Sequence, residues 1–315
     1  MVAAEAGILT MSTRAPNAPL VAAVPPVNPA TSGILLGLGA YLTWGFLPIY
    51  MKAIGAVAAP EILANRILWS LLLLLGIIAA TRRWAPVAAL LRTPRTLAVL
   101  ALTALLIGIN WLVYIWAVNA GFVLETSLGY FVTPLVNVLL GIFVLRERLR
   151  PAQTGAVALA AIGVAWLAFA QGGLPWISLV LAFSFSFYGL LRKMAPVDPL
   201  TGLLAETALL APMALFYVAA FGAHRFGADA SLDLLLVLSG LVTAAPLLMF
   251  AASTKRLRYA TVGLLQYVAP TIQFLLAILL YREPLTGAHI ATFALIWAGL
   301  IVYATDSLAA ARRGT

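Results

Sequence analysis

The chain has 315 residues, of which 63% are hydrophobic and only 9% charged, with a net charge of +9 and no cysteine. A water-soluble domain carries about 25% charged residues, so an aqueous globular fold is excluded and lipid must solvate most of the surface. The lack of cysteine excludes disulfides, thiolate metal sites and cysteine nucleophiles. The positive charges fall between apolar runs, where membrane orientation explains them better than nucleic acid does.

Residues 1–32 are rich in alanine and proline and contain no uninterrupted apolar core or convincing cleavage site. The expectation is a disordered cytoplasmic tail, with Met11 an alternative start. A spanning helix needs roughly 20 mainly apolar residues. Ten such runs follow, at 33–53, 61–80, 96–118, 123–145, 152–170, 174–191, 199–221, 233–252, 259–281 and 286–305, with 306–315 as a C-terminal cytoplasmic tail. Each is expected to be helical, because lipid satisfies no open backbone group. With the N-terminus inside, 15 Lys and Arg fall on the cytoplasmic side and 3 (Lys52, Arg225, Arg282) on the other. By the positive-inside bias this predicts N-in/C-in.

A repeat organises these runs. Leu124–Ala168 aligns without gaps on Ala260–Ala304, with 14 of 45 pairs identical. The informative matches are Pro134 with Pro270, Arg146-Glu147 with Arg282-Glu283, Gly163 with Gly299, and the polar pair Asn137 and Gln273. Five spans per half is an odd number, so the halves (33–170 and 174–305) are inverted with respect to the membrane. Inverted repeats occur in many secondary transporters, which bind substrate between the halves near the midplane. The expected fold class is an all-α membrane protein of ten transmembrane helices in two inverted five-helix repeats.

The segments AYLTWGFLPIYMKAI, EILANRILWSL, NWLVYIWAVNAGFVLETSLGYFVTPLVNVLLG, YGLLRK, PVDPLTGLLAET and LQYVAPTIQFLLA occur in that order between Gly33 and Ala304. They resemble the RarD subfamily of the EamA family, within the drug/metabolite transporter superfamily. The resemblance implies a ten-helix permease of the bacterial inner membrane. It implies no particular substrate.

Ionisable groups in a hydrocarbon core are costly and are functional candidates by default. Arg66 lies in the second span and Glu206 in the seventh, and aligning Pro60-Glu61 on Leu200-Thr201 sets them opposite each other in the repeat. Paired, they form either a structural lock between the halves or a switch in which Glu206 exchanges Arg66 for a proton or a substrate charge. Glu125, at the start of the fourth span, is either a carboxylate favoured by the helix dipole or a group that attracts cations at a cavity mouth. Asn110 and Tyr114 share one face of the third span, while Trp116 faces away. Tyr130, Asn137, Gln266, Tyr267 and Gln273 lie in the fourth and ninth spans, where Pro134 and Pro270 each leave a carbonyl unpaired and bend the helix. Together these amides and phenols suggest a polar cavity, against the alternative of ordinary interhelical hydrogen bonds. Gly45 and Pro48, beside Trp44 in the first span, echo Tyr188-Gly189 in the sixth; a glycine there permits hinging or close packing. Arg192-Lys193 reads as a positive-inside anchor.

No Walker loop or HExxH is present, and His224 and His289 are isolated, so no cofactor, metal or catalytic set is expected. The reading that follows is a secondary transporter of small organic solutes, not an enzyme, working by alternating access. A proton or sodium ion is an open choice of coupling ion, and a homodimer through the fifth and tenth spans an open choice of assembly. The alternative is a non-transporting membrane scaffold or sensor on the same duplicated frame.

Overall fold

The structure is a computed structural model. It describes residues 28–313 except 56, 121, 171, 173–175, 224, 225, 228 and 281–286; the side chains of 118, 119, 123–125, 127, 128, 277, 307, 308 and 311–313 also lie outside the description. The expected tail is thus outside the described residues as far as residue 27, and so is the turn at Arg282-Glu283.

Every described element is a helix: α1 (Pro29–Ala53), α2 (Ala59–Ala80), α3 (Trp84–Leu91), α4 (Pro94–Asn119), α5 (Val123–Phe143), α6 (Pro151–Ala170), α7 (Trp176–Met194), α8 (Pro199–Phe221), α9 (Ala230–Arg256), α10 (Tyr259–Leu265), α11 (Val268–Leu279) and α12 (Gly287–Arg313). Eight of them (α1, α2, α4, α6, α7, α8, α9 and α12) are long and apolar enough to cross a membrane by length and composition. Large apolar side chains point outward, among them Phe143, Phe169 and Leu279, each at least three-quarters exposed. This is the surface of a multi-pass membrane protein, since water would not tolerate it.

Local chemistry explains where boundaries differ from expectation. Helix α1 starts before residue 33, because the Asn28 side chain accepts from the Ala30 N–H at 2.9 Å and Pro29 occupies a first-turn position, where its missing N–H costs nothing. The expected C-terminal tail is helical through Arg313, and Asp306 pairs with Arg150 at 2.6 Å. The charged stretch between the second and third spans contains α3.

The ninth expected span is two helices. Pro270 has no N–H, and its ring crowds the carbonyl four residues back, which is that of Gln266. The chain responds by tightening: the Tyr267 N–H bonds to the Leu264 carbonyl and the Ala269 N–H to the Gln266 carbonyl. Its repeat partner Pro134 lies inside the continuous helix α5.

The packing is organised by close approaches. Helix α6 lies on α12, with the repeat-related glycines at the contact. A Cβ at Gly163 would be 3.1 Å from the Thr292 carbonyl, and one at Gly299 would be 2.7 Å from the Ala156 carbonyl. Elsewhere α5 packs on α7 and α10, α1 on α9 and α11, α4 on α7 and α8, and α2 on α8 and α9. Glu147, from the repeated Arg-Glu turn, accepts from the Tyr259 and Ala260 N–H groups at 2.6 and 3.0 Å. It therefore caps α10, the first helix of the second repeat copy, in keeping with the attraction of a carboxylate to a helix N-terminus.

Candidate functional site

Helices α1, α2, α4, α5, α7 and α11 converge on a buried cavity of about 60 Å³, room for a few waters. Tyr41, Trp44 and Leu47 of α1 form one wall, facing Leu181 and Phe185 of α7; Trp44 and Phe185 meet edge to face at 5.6 Å. Asn110, Trp111 and Tyr114 come from α4, and Tyr130 and Thr133 from α5. Gln266, in the break between α10 and α11, joins Ala269, Pro270 and Gln273. The helix break thus turns a side-chain amide into the cavity wall.

Most of the polar lining is positioned by bonds behind it. Asn110 Nδ2 donates to the Leu181 carbonyl and to Ser184 Oγ, both at 2.9 Å. Gln273 Nε2 donates to the Trp44 carbonyl at 3.1 Å, which ties α11 to α1. Gln266 Oε1 accepts from Asn137 Nδ2 at 2.9 Å. The rings of Tyr114 and Tyr130 meet at 5.6 Å.

Arg66 of α2 also lines the cavity, although the residue is only 4% exposed. Its Nε donates to Thr243 Oγ1 of α9 at 2.9 Å, and the guanidinium carbon lies 5.0 Å from the Trp111 ring centre. Among the described residues no carboxylate is within ion-pair distance of it.

The expected Arg66–Glu206 pair does not form. Glu206 pairs with Arg192 of α7 instead, Nε to Oε1 at 3.5 Å, and both residues are 1% exposed. Thr103 donates to Glu206 Oε1 at 2.6 Å, and Tyr188 donates to Oε2 at 3.5 Å. The reason is axial. Arg66 meets α4 at Trp111 and Glu206 meets it at Thr103, and eight residues of helix span about 12 Å. Arg192 is accordingly a buried ion-pair partner and not the surface anchor expected of it.

Two further expected cavity residues lie behind the wall. Asn137 is fully buried and reaches the cavity only through Gln266, and Tyr267 donates away from it to the Phe131 carbonyl at 3.3 Å. Glu125 lies among residues whose side chains are outside the description. Gly45 is a close-packing position: a Cβ there would be 2.8 Å from Ile272 Cβ. Pro48 lies inside the continuous helix α1 and outside the lining.

Comparison with known proteins places this architecture. Residues 31–169 match the EamA-like transporter family. A Vibrio cholerae protein named an uncharacterized transporter is 47% identical over 291 residues, covering 91% of this chain and 96% of its own. Protein RarD of Salmonella typhi is 46% identical over 285 residues, covering 89% of this chain and 97% of its own. The chain belongs to the EamA-like transporter family. Within that family its relatives at this identity include proteins named RarD, as the motifs between Gly33 and Ala304 suggest. A solved structure titled "Crystal structure of protein" shares the fold at a TM-score of 0.68 and 21% identity, covering 90% of this chain and 99% of its own. The EamA match runs from α1 through α6 and so includes four of the helices that line the cavity.

Several residues around this EamA cavity gave no sequence signal. Thr243 is one hydroxyl in an apolar run, and Thr133 and Phe185 are equally inconspicuous. Thr103 and Tyr188 matter only because the fold brings Glu206 to them.

Proposed function

We propose that the chain is a secondary transporter of small organic solutes in the bacterial inner membrane, working by alternating access. In this reading ten spans form two inverted five-helix repeats, 33–170 and 174–305, with both termini in the cytoplasm. The broken pair α10 and α11 makes the ninth span, and α5 makes the fourth. The helix contacts support the duplication, because they fall into repeat-related sets. The contact of α5 with α7 mirrors α11 with α1, α4 with α7 mirrors α1 with α9, and α4 with α8 mirrors α2 with α9. The contacts of α2 with α8, α5 with α10, and α6 with α12 each map onto themselves.

The observation that carries the transport reading is the cavity, because helices from both halves wall it with aromatic rings and oriented amides. A site between repeats is what rocking of one half against the other would expose to each side in turn. The names of the relatives agree with transport. Among the described residues, helices α6 and α12 supply none of the lining, and they suit a scaffold or a contact between copies. Two measurements test the proposal. Reporter fusions after Arg95, Arg150 and Arg258 are expected to be cytoplasmic, and those after Phe122, Gly173 and Ala228 external; two contrary fusions overturn the inverted arrangement. Reconstituted vesicles with a proton or sodium gradient are expected to accumulate a solute from a metabolite panel, and equal uptake by protein-free vesicles counts for a non-transporting scaffold.

A further inference from the structure

We infer that Arg66 is the anchoring group for the carboxylate of a small organic monoanion, whose apolar body rests against the aromatic wall of the same cavity. The inference rests on the transport reading only for the fate of the bound molecule; the binding itself is a property of the cavity.

A guanidinium carries five N–H donors and no acceptor. Thr243 takes the Nε–H of Arg66. Among the described residues no acceptor is within hydrogen-bond distance of the other four, and the Trp111 ring offers only its face. Burying a cation is costly unless a charge or a set of hydrogen bonds answers it. At Glu206 the protein supplies that answer from its own side chains; at Arg66 it supplies a hydroxyl, a ring and a cavity. The planar fork of donors matches a carboxylate with two parallel bonds.

The remaining lining narrows the class. Arg66 is its one charged residue among those described, so a single negative charge is balanced and a phosphate dianion would be left with an unmatched charge. No described acidic residue in the lining meets an ammonium group. Trp44, Trp111 and Phe185 offer flat apolar surface for the body of the molecule, while the Asn110 amide is already committed to α7.

The test uses purified full-length protein in detergent, with thermal unfolding and equilibrium binding as readouts. Probes are three short monocarboxylates (acetate, propionate and butyrate), of a size that suits the cavity, the neutral propionamide, and propylamine, all at equal ionic strength. At least one carboxylate is expected to raise the unfolding temperature and to bind about 10- to 100-fold more tightly than propionamide, with propylamine inert. Arg66→Leu is expected to abolish the preference for acid over amide, and Arg66→Lys to keep it in weakened form, because the charge remains and the fork is lost. No response to any of the three acids, equal binding of acid and amide, or an unchanged acid response in Arg66→Leu each overturns the inference. The wild-type probe series decides the matter even if Arg66→Leu fails to fold. Uptake of the bound acid into vesicles is read separately: binding without uptake upholds the subsite and counts against transport, whereas uptake without acid preference does the reverse.

Discussion

Arg66 and Glu206 occupy the same place in the aligned repeats and have opposite surroundings. Glu206 is held by a cation, a threonine hydroxyl and a tyrosine hydroxyl, all supplied by the protein. Arg66 has one hydroxyl and a ring, with its open side toward the cavity. Two buried charges that the alignment sets opposite each other therefore differ in setting, Glu206 in a packed ion pair and Arg66 with donors left over beside the cavity. The lesson is that a charge inside a membrane protein is read from what answers it, more than from its presence. A compensated charge is a structural contact. An uncompensated one at a cavity is a binding group.

Removing each charge in turn and measuring folding separates the two sites most strongly. Truncating one member of a buried ion pair strands the other and costs about 3–5 kcal/mol. Glu206→Leu and Arg192→Leu are each expected to lower the unfolding temperature and the folded yield strongly, and the double variant to recover much of the loss. Arg66→Leu strands no partner and is expected to unfold at or above the wild-type temperature. If Arg66→Leu is as damaging as Glu206→Leu, the two sites do not differ in the way described.

A smaller effect is expected at Gly202, where α8 approaches the guanidinium of Arg192 so closely that a Cβ would overlap it. Gly202→Ala must push Arg192 off its seat beside Glu206 and is expected to cost about 1–3 kcal/mol, the usual range for overpacking. Combining it with Arg192→Leu tests the cause. The alanine is then expected to be nearly neutral, and an undiminished penalty would mean that Gly202 serves some other contact.

The cavity wall and the layer behind it give a third contrast. Gln273→Leu alters the lining itself and loosens the tie to the Trp44 carbonyl. Asn137→Leu removes only the bond that steadies Gln266. Such interhelical bonds are worth roughly 0.6 kcal/mol each, so both proteins should fold. Uptake in vesicles is expected to fall severely in Gln273→Leu and mildly in Asn137→Leu. The reverse order would place the functional surface on the far side of Gln266.

Much of this was legible in the sequence because the relevant signals are local. Apolar runs locate the helices α1, α2, α4, α6, α7, α8 and α9, and the start of α12, to within a few residues, and the proline and amide matches fall on α5 and α11, where Pro270 and Gln273 line the cavity and Pro134 and Asn137 do not. Three things were not legible. The break at Gln266 comes from how the chain relieves the clash at Pro270, whereas its repeat partner Pro134 leaves α5 continuous. The Arg-Glu turn is conspicuous in the sequence, yet Glu147 serves as a helix cap and lies outside the cavity lining. Ion-pair partners depend on height along the bundle, which alignment of the repeats does not give: Arg66 and Glu206 align perfectly and are separated by about two turns of α4. Arg192, next to Lys193 at a helix end, has the sequence appearance of an anchor, and only the fold carries it inward.

The smallest effect concerns the contrast between this buried pair and an ion pair outside the spans. Asp198 caps α8 by accepting from the Leu200 and Thr201 N–H groups, both at 3.1 Å, and lies 3.5 Å from Arg83. Partial burial alone would raise its carboxyl, but the Thr201 hydroxyl, the two N–H groups and the Arg83 guanidinium outweigh that and hold it below the ordinary carboxylate value. A carboxyl depressed in the folded state contributes stability that is complete above the unfolded value, about pH 3.9, and is lost as pH falls through the folded one. Asn caps a helix as well as Asp does, so Asp198→Asn keeps the cap and loses the charge. Because Arg83 is exposed and Asp198 only partly buried, the loss is expected to be under about 1 kcal/mol at neutral pH. It should shrink with added salt. The difference in unfolding temperature between wild type and Asp198→Asn should also close as pH falls below the unfolded value and through the depressed folded one. Asp198→Ala, which loses the cap as well, should cost about 1 kcal/mol more, largely independent of salt. A loss in Asp198→Asn as large as that in Glu206→Leu would mean that exposure is not what separates the two pairs.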